Sequence, residues 1–445
     1  MKNIAIIFLC IVAVSGCKCK ENEPPKPPQE LTKPNIIFIV ADDFGYEIPT
    51  VNGGESYSTP NMDKLADEGM RFTQCYSSPI CCPTRSMLLT GKYCFRNYGN
   101  WGIMNPASKT IGNMFKDNGY KTCYAGKWQL DGGSVRINSF GFDNYVVWLP
   151  YEISPESDGG SRYKDPVLYT NNAFIPEGQT AGKYSEDIFT DSIVSFMQQN
   201  KDKSFFMYYA SNLPHSPISP TPDQKEFAGW DSDPLNFSSK FFPNMVSYLD
   251  KKVKLLMDET KKLNIDKRTI FVFVGDNGSP EGVVSRFNGQ TIQGGKKETN
   301  SYGTHVPLFV YCPGIITNGI NNDLVDFTDF IPTLADIAGI PKPTNYGILD
   351  GRSFAEQLKG KTGTPRDYIF CHHILDTATN GVVPSRWVQN KTYKLYEDNG
   401  GSYHNPGFYN IITDPLELNA IPDAALTADE LALKNSFTDV LNSMK

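Results

Sequence analysis

The residues that could do chemistry fall into three sets. Asp42-Asp43 and Asp276-Asn277 each follow directly on a short apolar run. They supply only oxygen, and three carboxylates packed together need a cation to offset their repulsion. Oxygen donors suit a hard ion, Ca²⁺ or Mg²⁺. The chain has 5 histidines, none of them beside these carboxylates, which argues against a two-zinc site. Arg85, Lys127 and Lys296 form the second set, able to hold the oxygens of a tetrahedral anion. His215, in "SNLPHSP", is of the type that transfers protons near neutral pH. The third set is the thiol pair Cys81-Cys82 in "SSPICCPTRSMLLTGKY". Pro83 suits the first turn of a helix and Gly91 its end, so Cys81 is predicted at a helix N-terminus. Free N–H groups there favour a nucleophile or a bound anion. A buried pair or a vicinal disulfide stays open as the alternative.

These groups can meet only if the chain delivers them to one place. "NIIFIVA" (35–41), "YKTCYAG" (120–126), "SFFMYYA" (204–210), "TIFVFVG" (269–275) and "VPLFVYC" (306–312) are apolar runs of the kind buried on both faces of a sheet. Helix-like segments lie between them at 59–70, 109–119, 185–200 and 245–263, with another at 324–340. Alternating strands and helices predict an α/β fold with a large, mainly parallel sheet sandwiched by helices. Ligands bind outside the carboxyl ends of such strands, and four runs end there in Asp42-Asp43, Lys127, His215 and Asp276-Asn277. After about residue 360 the pattern becomes short polar strands and turns with a final helix over 428–444, read as a smaller α+β subdomain (361–445) beside a catalytic domain (34–360). Loops 132–183 and 216–240 carry Trp148, Tyr151 and Trp230, which could stack on sugar rings or simply pack.

The first residues read as an address rather than as fold. Lys2, the apolar run Ile4–Val14 and a small-residue stretch make a signal peptide (1–17). Val14-Ser15-Gly16-Cys17 resembles a bacterial lipobox, implying export and a lipid anchor on Cys17, in the periplasm or at the cell surface. Residues 18–33 form a Pro-rich tether. The remaining seven cysteines are irregularly spaced and read as core residues rather than a disulfide framework. A net charge of -7 gives no global field for nucleic acid.

Cys81-x-Pro83-x-Arg85 followed by Leu89-Thr90-Gly91 resembles the maturation signature of type I sulfatases, in the alkaline phosphatase superfamily. "NIIFIVADDFGY", "NGYKTCYAGKW", "LPHSP", "FVGDNG", "GGKKETNSYGTHVPLFVYCPG" and "LDGRSF" resemble that family's segments in order, over about residues 34 to 420. The resemblance implies a maturase that converts Cys81 to formylglycine, whose hydrated aldehyde attacks sulfur and later expels sulfate. It implies Ca²⁺ held by Asp42, Asp43, Asp276 and Asn277, with Cys81 beside it. Arg85, Lys127 and Lys296 would hold nucleophile and sulfate, and His215 would protonate the leaving oxygen. The implied substrate is a sulfated carbohydrate. Two positions depart from the family. Gln129 stands where the family has a histidine, so it either reads substrate or leaves sulfate release without its usual base. His305 stands where the family has an arginine, and is expected to alter packing or the pocket rim. The alternatives are a phosphodiester or phosphonate monoester hydrolase, and a degenerate fold that only binds sulfated glycans.

Overall fold

The computed structural model describes residues 33–150, 160–233, 235–374, 382–401 and 405–444. The signal peptide, Cys17, most of the tether and Tyr151 therefore lie outside the described residues. Among those described, no helix is long and apolar enough to cross a membrane.

The centre is an 11-stranded mixed sheet. In order across it run Gly319–Asn321, Met70–Tyr76, His305–Tyr311, Thr269–Gly275, Asn35–Ala41, Phe205–Ala210, Lys121–Lys127, Asn144–Trp148, Leu168–Thr170 and Ala173–Phe174, with Val325–Asp326 beside Met70–Tyr76. The five strands from Thr269–Gly275 to Asn144–Trp148 are mutually parallel. His305–Tyr311 is antiparallel to both its neighbours, and on the other side Leu168–Thr170 is antiparallel to Asn144–Trp148 and to Ala173–Phe174, so the "mainly parallel" expectation holds for the middle of the sheet and gives way on both sides. The apolar runs land where the sequence puts them because each is buried along its length; Asn35–Ala41 and Thr269–Gly275 are wholly buried. Helices including Ser185–Asn200 and Phe242–Lys262 pack apolar stripes against the sheet, and two extended clusters of apolar side chains result.

Three expectations shift. The helix predicted over 324–340 begins only at Phe330, because Asp326 caps a 3₁₀ turn, Phe327–Asp329, by accepting from the Thr328 backbone N–H at 2.8 Å. The strand Asn144–Trp148 was not foreseen: "NYVVW" is short and its flanks carry no turn dipeptide. The strands after residue 360 are buried rather than polar. Ile369–His373, Ser385–Gln389, Tyr393–Tyr396 and Gly407–Asn410 form an antiparallel sheet against which helix Ala428–Ser443 packs. Ser385–Gln389 is buried throughout, and Arg386 satisfies its charge with Glu397 at 2.8 Å.

Candidate active site

Register brings the chemistry to one edge. Ala41 pairs with Gly275, Val40 with Ala210, Ala210 with Gly126, and Lys127 with Trp148. The residues that follow, Asp42, Asp276 and the Ser211–His215 turn, therefore emerge side by side with Lys127. Gly126 makes this possible: its φ is +110°, and a Cβ there would meet the Ala210 carbonyl oxygen at 1.8 Å. Asp43, Gln129 and Lys297 also have positive φ, 59°, 52° and 75°, a region that non-glycine residues enter rarely and that gathers at functional sites.

Helix Cys81–Thr90 supplies the rest. Ile80 is extended and Cys81 is the first helical residue; Gly91 closes the helix in the left-handed region, its N–H donating to Met87 O. Cys81 and Arg85 are four apart and share a face. Cys81 is buried, and its Sγ lies 3.3 Å from the Gln129 side-chain oxygen. Cys82 faces elsewhere and accepts from the Gly102 backbone N–H at 3.2 Å, while burial pushes its thiol up to about 12. All seven described cysteines are free and buried, so the vicinal disulfide is absent and the core reading stands for the others.

The charges pair off closely. Lys127 donates to both oxygens of Asp42, at 2.9 and 2.7 Å. Arg85 reaches Asp276 through two nitrogens at 3.1 and 2.9 Å, and Lys296 reaches Asp43 at 2.8 Å. Asn277 donates its amide to Asp43 at 2.8 Å, which leaves its side-chain oxygen buried and without a partner. Burial pushes the Asp42 carboxyl up, but Lys127, His215, Arg85 and Arg162 outweigh it and hold it well below the usual range. Asp276 goes the other way, to about 7, because burial and the neighbouring Asp42 prevail over Arg85 and Lys127. Ligand atoms of Asp42, Cys81 and Asp276 lie within 4.8 Å of one another. Three buried carboxylates, one of them resisting ionisation, and an orphaned amide oxygen fit a hard divalent cation. The implied Ca²⁺ thus has a fitting donor set in Asp42, Asp43, Asp276 and Asn277.

His215 sits at the rim with Nε2 at 2.8 Å from Lys296 Nζ and 3.7 Å from Asp43. Its Nδ1 faces the Ser216 carbonyl, so the hydrogen bonds assign the proton to Nδ1 and the acceptor role to Nε2. Burial, then Arg162 and Lys296, hold the ring well below the usual imidazole range. The structure thus joins Asp42, Asp43, Cys81, Arg85, Lys127, Gln129, His215, Asp276, Asn277 and Lys296 into one cluster, while Cys82 turns away from it and Trp230 stands at the smaller cavity. His305 is the exception that was never placed in it: its ring stacks between Tyr46 (3.9 Å) and Tyr76 (4.9 Å) and bonds the Thr73 carbonyl, which is a packing role.

One residue escaped the sequence. Arg162 is buried, and its guanidinium carbon sits 4.0 Å over the Trp148 ring while Nη1 lies 3.5 Å from Asp42. "GGSRYKD" gives no pattern that would single it out. Two cavities reach the cluster. The larger, ≈ 410 Å³, is lined by Asp43, Lys296, Ile218 and Phe237 among others; the other, ≈ 180 Å³, lies beside Arg162 and Trp230. Trp148 is itself buried, whereas half-buried Trp230 packs edge-on against Phe241 at 5.3 Å and lines the smaller cavity.

A helix-flanked mixed sheet of this kind, with charged groups gathered at its central strand ends, is the alkaline phosphatase-like scaffold. Residues 34–340 match the family model described as Sulfatase, and residues 296–442 match that of N-sulphoglucosamine sulphohydrolase, C-terminal. The chain belongs to the sulfatase family, whose members are sulfuric ester hydrolases. It is 30% identical over 366 residues to an arylsulfatase of Hemicentrotus pulcherrimus, covering 76% of this chain and 64% of that relative. It is 27% identical to an N-acetylgalactosamine-6-O-sulfatase of Bacteroides thetaiotaomicron over 95% of this chain and 96% of the relative. Among solved structures it resembles Ps i-CgsB in complex with k-i-k-neocarrahexaose (TM-score 0.75, 25% identity, 93% and 92% coverage). The phosphonate monoester hydrolase of Agrobacterium radiobacter shares the fold (TM-score 0.65, 18% identity, 92% and 95% coverage).

Proposed function

We propose that the protein hydrolyses sulfate esters of a sulfated carbohydrate, using a formylglycine made from Cys81 by a maturase and a Ca²⁺ held by Asp42, Asp43, Asp276 and Asn277. The observation that carries the reading is the position of Cys81, first in its helix and within 4.8 Å of the ligand atoms of Asp42 and Asp276. A hydrated formylglycine at position 81 would supply two hydroxyls on one carbon, one for attack on sulfur and one whose deprotonation would let sulfate go; a cation held by the four oxygen donors would supply positive charge to the site.

The chain's own residues do the rest. Arg85 and Lys127 orient Asp276 and Asp42 and present positive charge to the nucleophile. Lys296 lines the larger cavity and its Nζ lies 2.8 Å from His215 Nε2, a pair that would supply the proton a leaving oxygen needs. Gln129 accepts a hydrogen bond from the nucleophile but cannot carry its proton away. Burial of the cluster raises the worth of every such contact. Export and a lipid anchor at Cys17 complete the proposal, placing the enzyme where polymeric saccharides are met.

The test is a desulfation screen of defined sulfated saccharides with matured protein, run beside the matching phosphate mono- and diesters. Release of sulfate at kcat/KM well above phosphate release is the expected result. Preference for a phosphodiester or phosphonate ester would overturn it.

A further inference from the structure

Each carboxylate of the cluster has a cation of its own at hydrogen-bonding distance: Lys127 for Asp42, Arg85 for Asp276, Lys296 for Asp43. Arg162 is the fourth cation and has no such partner among the described residues. Its nearest carboxylate oxygen is that of Asp42 at 3.5 Å, already held by Lys127. Nε and Nη1 are buried without a hydrogen-bond partner. Two buried guanidinium nitrogens without a hydrogen bond are costly and call for an explanation. Chance mobility does not supply one, because the guanidinium carbon sits 4.0 Å over the Trp148 ring, and Trp148 is fixed by its strand pairing to Lys127. The planar fork is held in place, and it borders the ≈ 180 Å³ cavity with Ser161, Ser219, Trp230 and Asn236. Lys164, also at the cavity, is paired with Asp165 at 3.1 Å. A fixed guanidinium whose closest carboxylate contact is a long one, to an oxygen already held by Lys127, stands beside hydroxyls, an amide and an indole, the chemistry that holds an oxyanion on a sugar ring; Asp233, the carboxylate of this lining, accepts from the Leu235 backbone N–H at 2.8 Å.

We propose that the cavity beside Arg162 is a subsite for a second oxyanion of the substrate, a carboxylate or a further sulfate borne by the same saccharide as the scissile ester. The inference rests on the carbohydrate sulfatase reading and narrows it to multiply anionic saccharides. Arg162 binds that group and is a specificity-determining residue, distinct from the three cations that pair the carboxylates.

The experiment compares three substrates that share one scissile sulfate: one with no other charge, one with an added carboxylate, one with an added sulfate. Matured wild-type protein should favour at least one dianionic substrate by roughly 10–100-fold in kcat/KM, the range of a charge-assisted hydrogen bond. Arg162→Gln should erase most of that ratio, and Arg162→Lys should keep part of it. Binding is read separately by calorimetry with the Cys81→Ala protein, which holds intact substrate without turning it over and needs no change at Arg162. There the dianionic saccharides should bind tighter by a similar factor. Which dianion wins identifies the group. Equal kcat/KM and equal binding for all three, with turnover intact, would overturn the subsite and leave the sulfatase reading standing. An equal loss on all three substrates in Arg162→Gln would likewise overturn it, by making Arg162 a partner of Asp42 only. If no sulfated saccharide is bound or turned over, both readings fall.

Discussion

The side-chain oxygen of Gln129 lies 3.3 Å from the Sγ of Cys81. Of the two roles open to this residue, contact with the nucleophile is the one the geometry supports, since the amide touches the atom to be converted. An amide oxygen accepts a hydrogen bond but binds no proton at neutral pH. Sulfate release from the matured enzyme should then be slow. Rapid mixing should show a burst of released alcohol of about one enzyme equivalent before steady turnover. Gln129→His should raise the steady rate about tenfold or more, within the usual reach of general base catalysis. Absence of a burst, together with a changed sugar preference in Gln129→His, would assign the residue to substrate reading instead.

The site was legible because its parts end strands. Asp42, Lys127 and Asp276 each stand at or just after the end of an apolar run, and a parallel sheet turns that local fact into proximity. Cys81 was legible from Pro83 and Gly91, which mark the ends of its helix. What was not legible depended on contacts between distant segments. Arg162 acquires its role only because Trp148 lies in register with Lys127, and nothing in "GGSRYKD" encodes that pairing. The antiparallel run of His305–Tyr311 is equally silent in sequence, since a strand buried on both faces reads the same in either direction.

Maturation should select Cys81 over Cys82. Both thiols are buried, but Cys81 heads its helix among the charged groups, whereas Cys82 faces away from them, accepts from Gly102 N–H, and has its thiol pushed up to about 12. Peptide mass analysis after co-expression with a maturase should find the aldehyde at Cys81 alone. Cys81→Ala should lose all turnover while unfolding within about 1 kcal/mol of the parent, the usual range for a small, tolerated substitution. Retained activity in Cys81→Ala would sink the proposed mechanism.

Metal removal should be visible in stability as well as rate. Asp42, Asp43 and Asp276 are buried together, so withdrawing a cation restores their repulsion and leaves the Asn277 oxygen unpaired. Chelation should abolish turnover and lower Tm, and Ca²⁺ should restore both better than Zn²⁺. Asp276→Ala should lower activity by at least 100-fold and remove the Ca²⁺-dependent shift in Tm. A requirement for Zn²⁺ would contradict the oxygen donor set.

His305 predicts a pH dependence remote from the catalytic cluster. Burial lowers its pKa from the ordinary 6.5 to about 4, against the opposing effect of its bond to the Thr73 carbonyl. The folded state therefore resists protonation that the unfolded chain accepts. Above the unfolded value near 6.5 neither state binds the proton, and the stacked ring contributes fully. As pH falls from about 6.5 towards 4 the unfolded state gains the proton first, so stability declines across that window and levels off below it. The loss is about 2 kcal/mol, discounted for the partial exposure of the ring. His305→Gln keeps a donor for Thr73 but gives up the stack between Tyr46 and Tyr76, so it should be less stable at pH 7. Its urea midpoint should also fall less between pH 6.5 and 4.5 than that of the parent. His372, also held at about 4, is present in both proteins and cancels in the comparison. Parallel pH profiles for the two proteins would show that His305 does not titrate differently on folding.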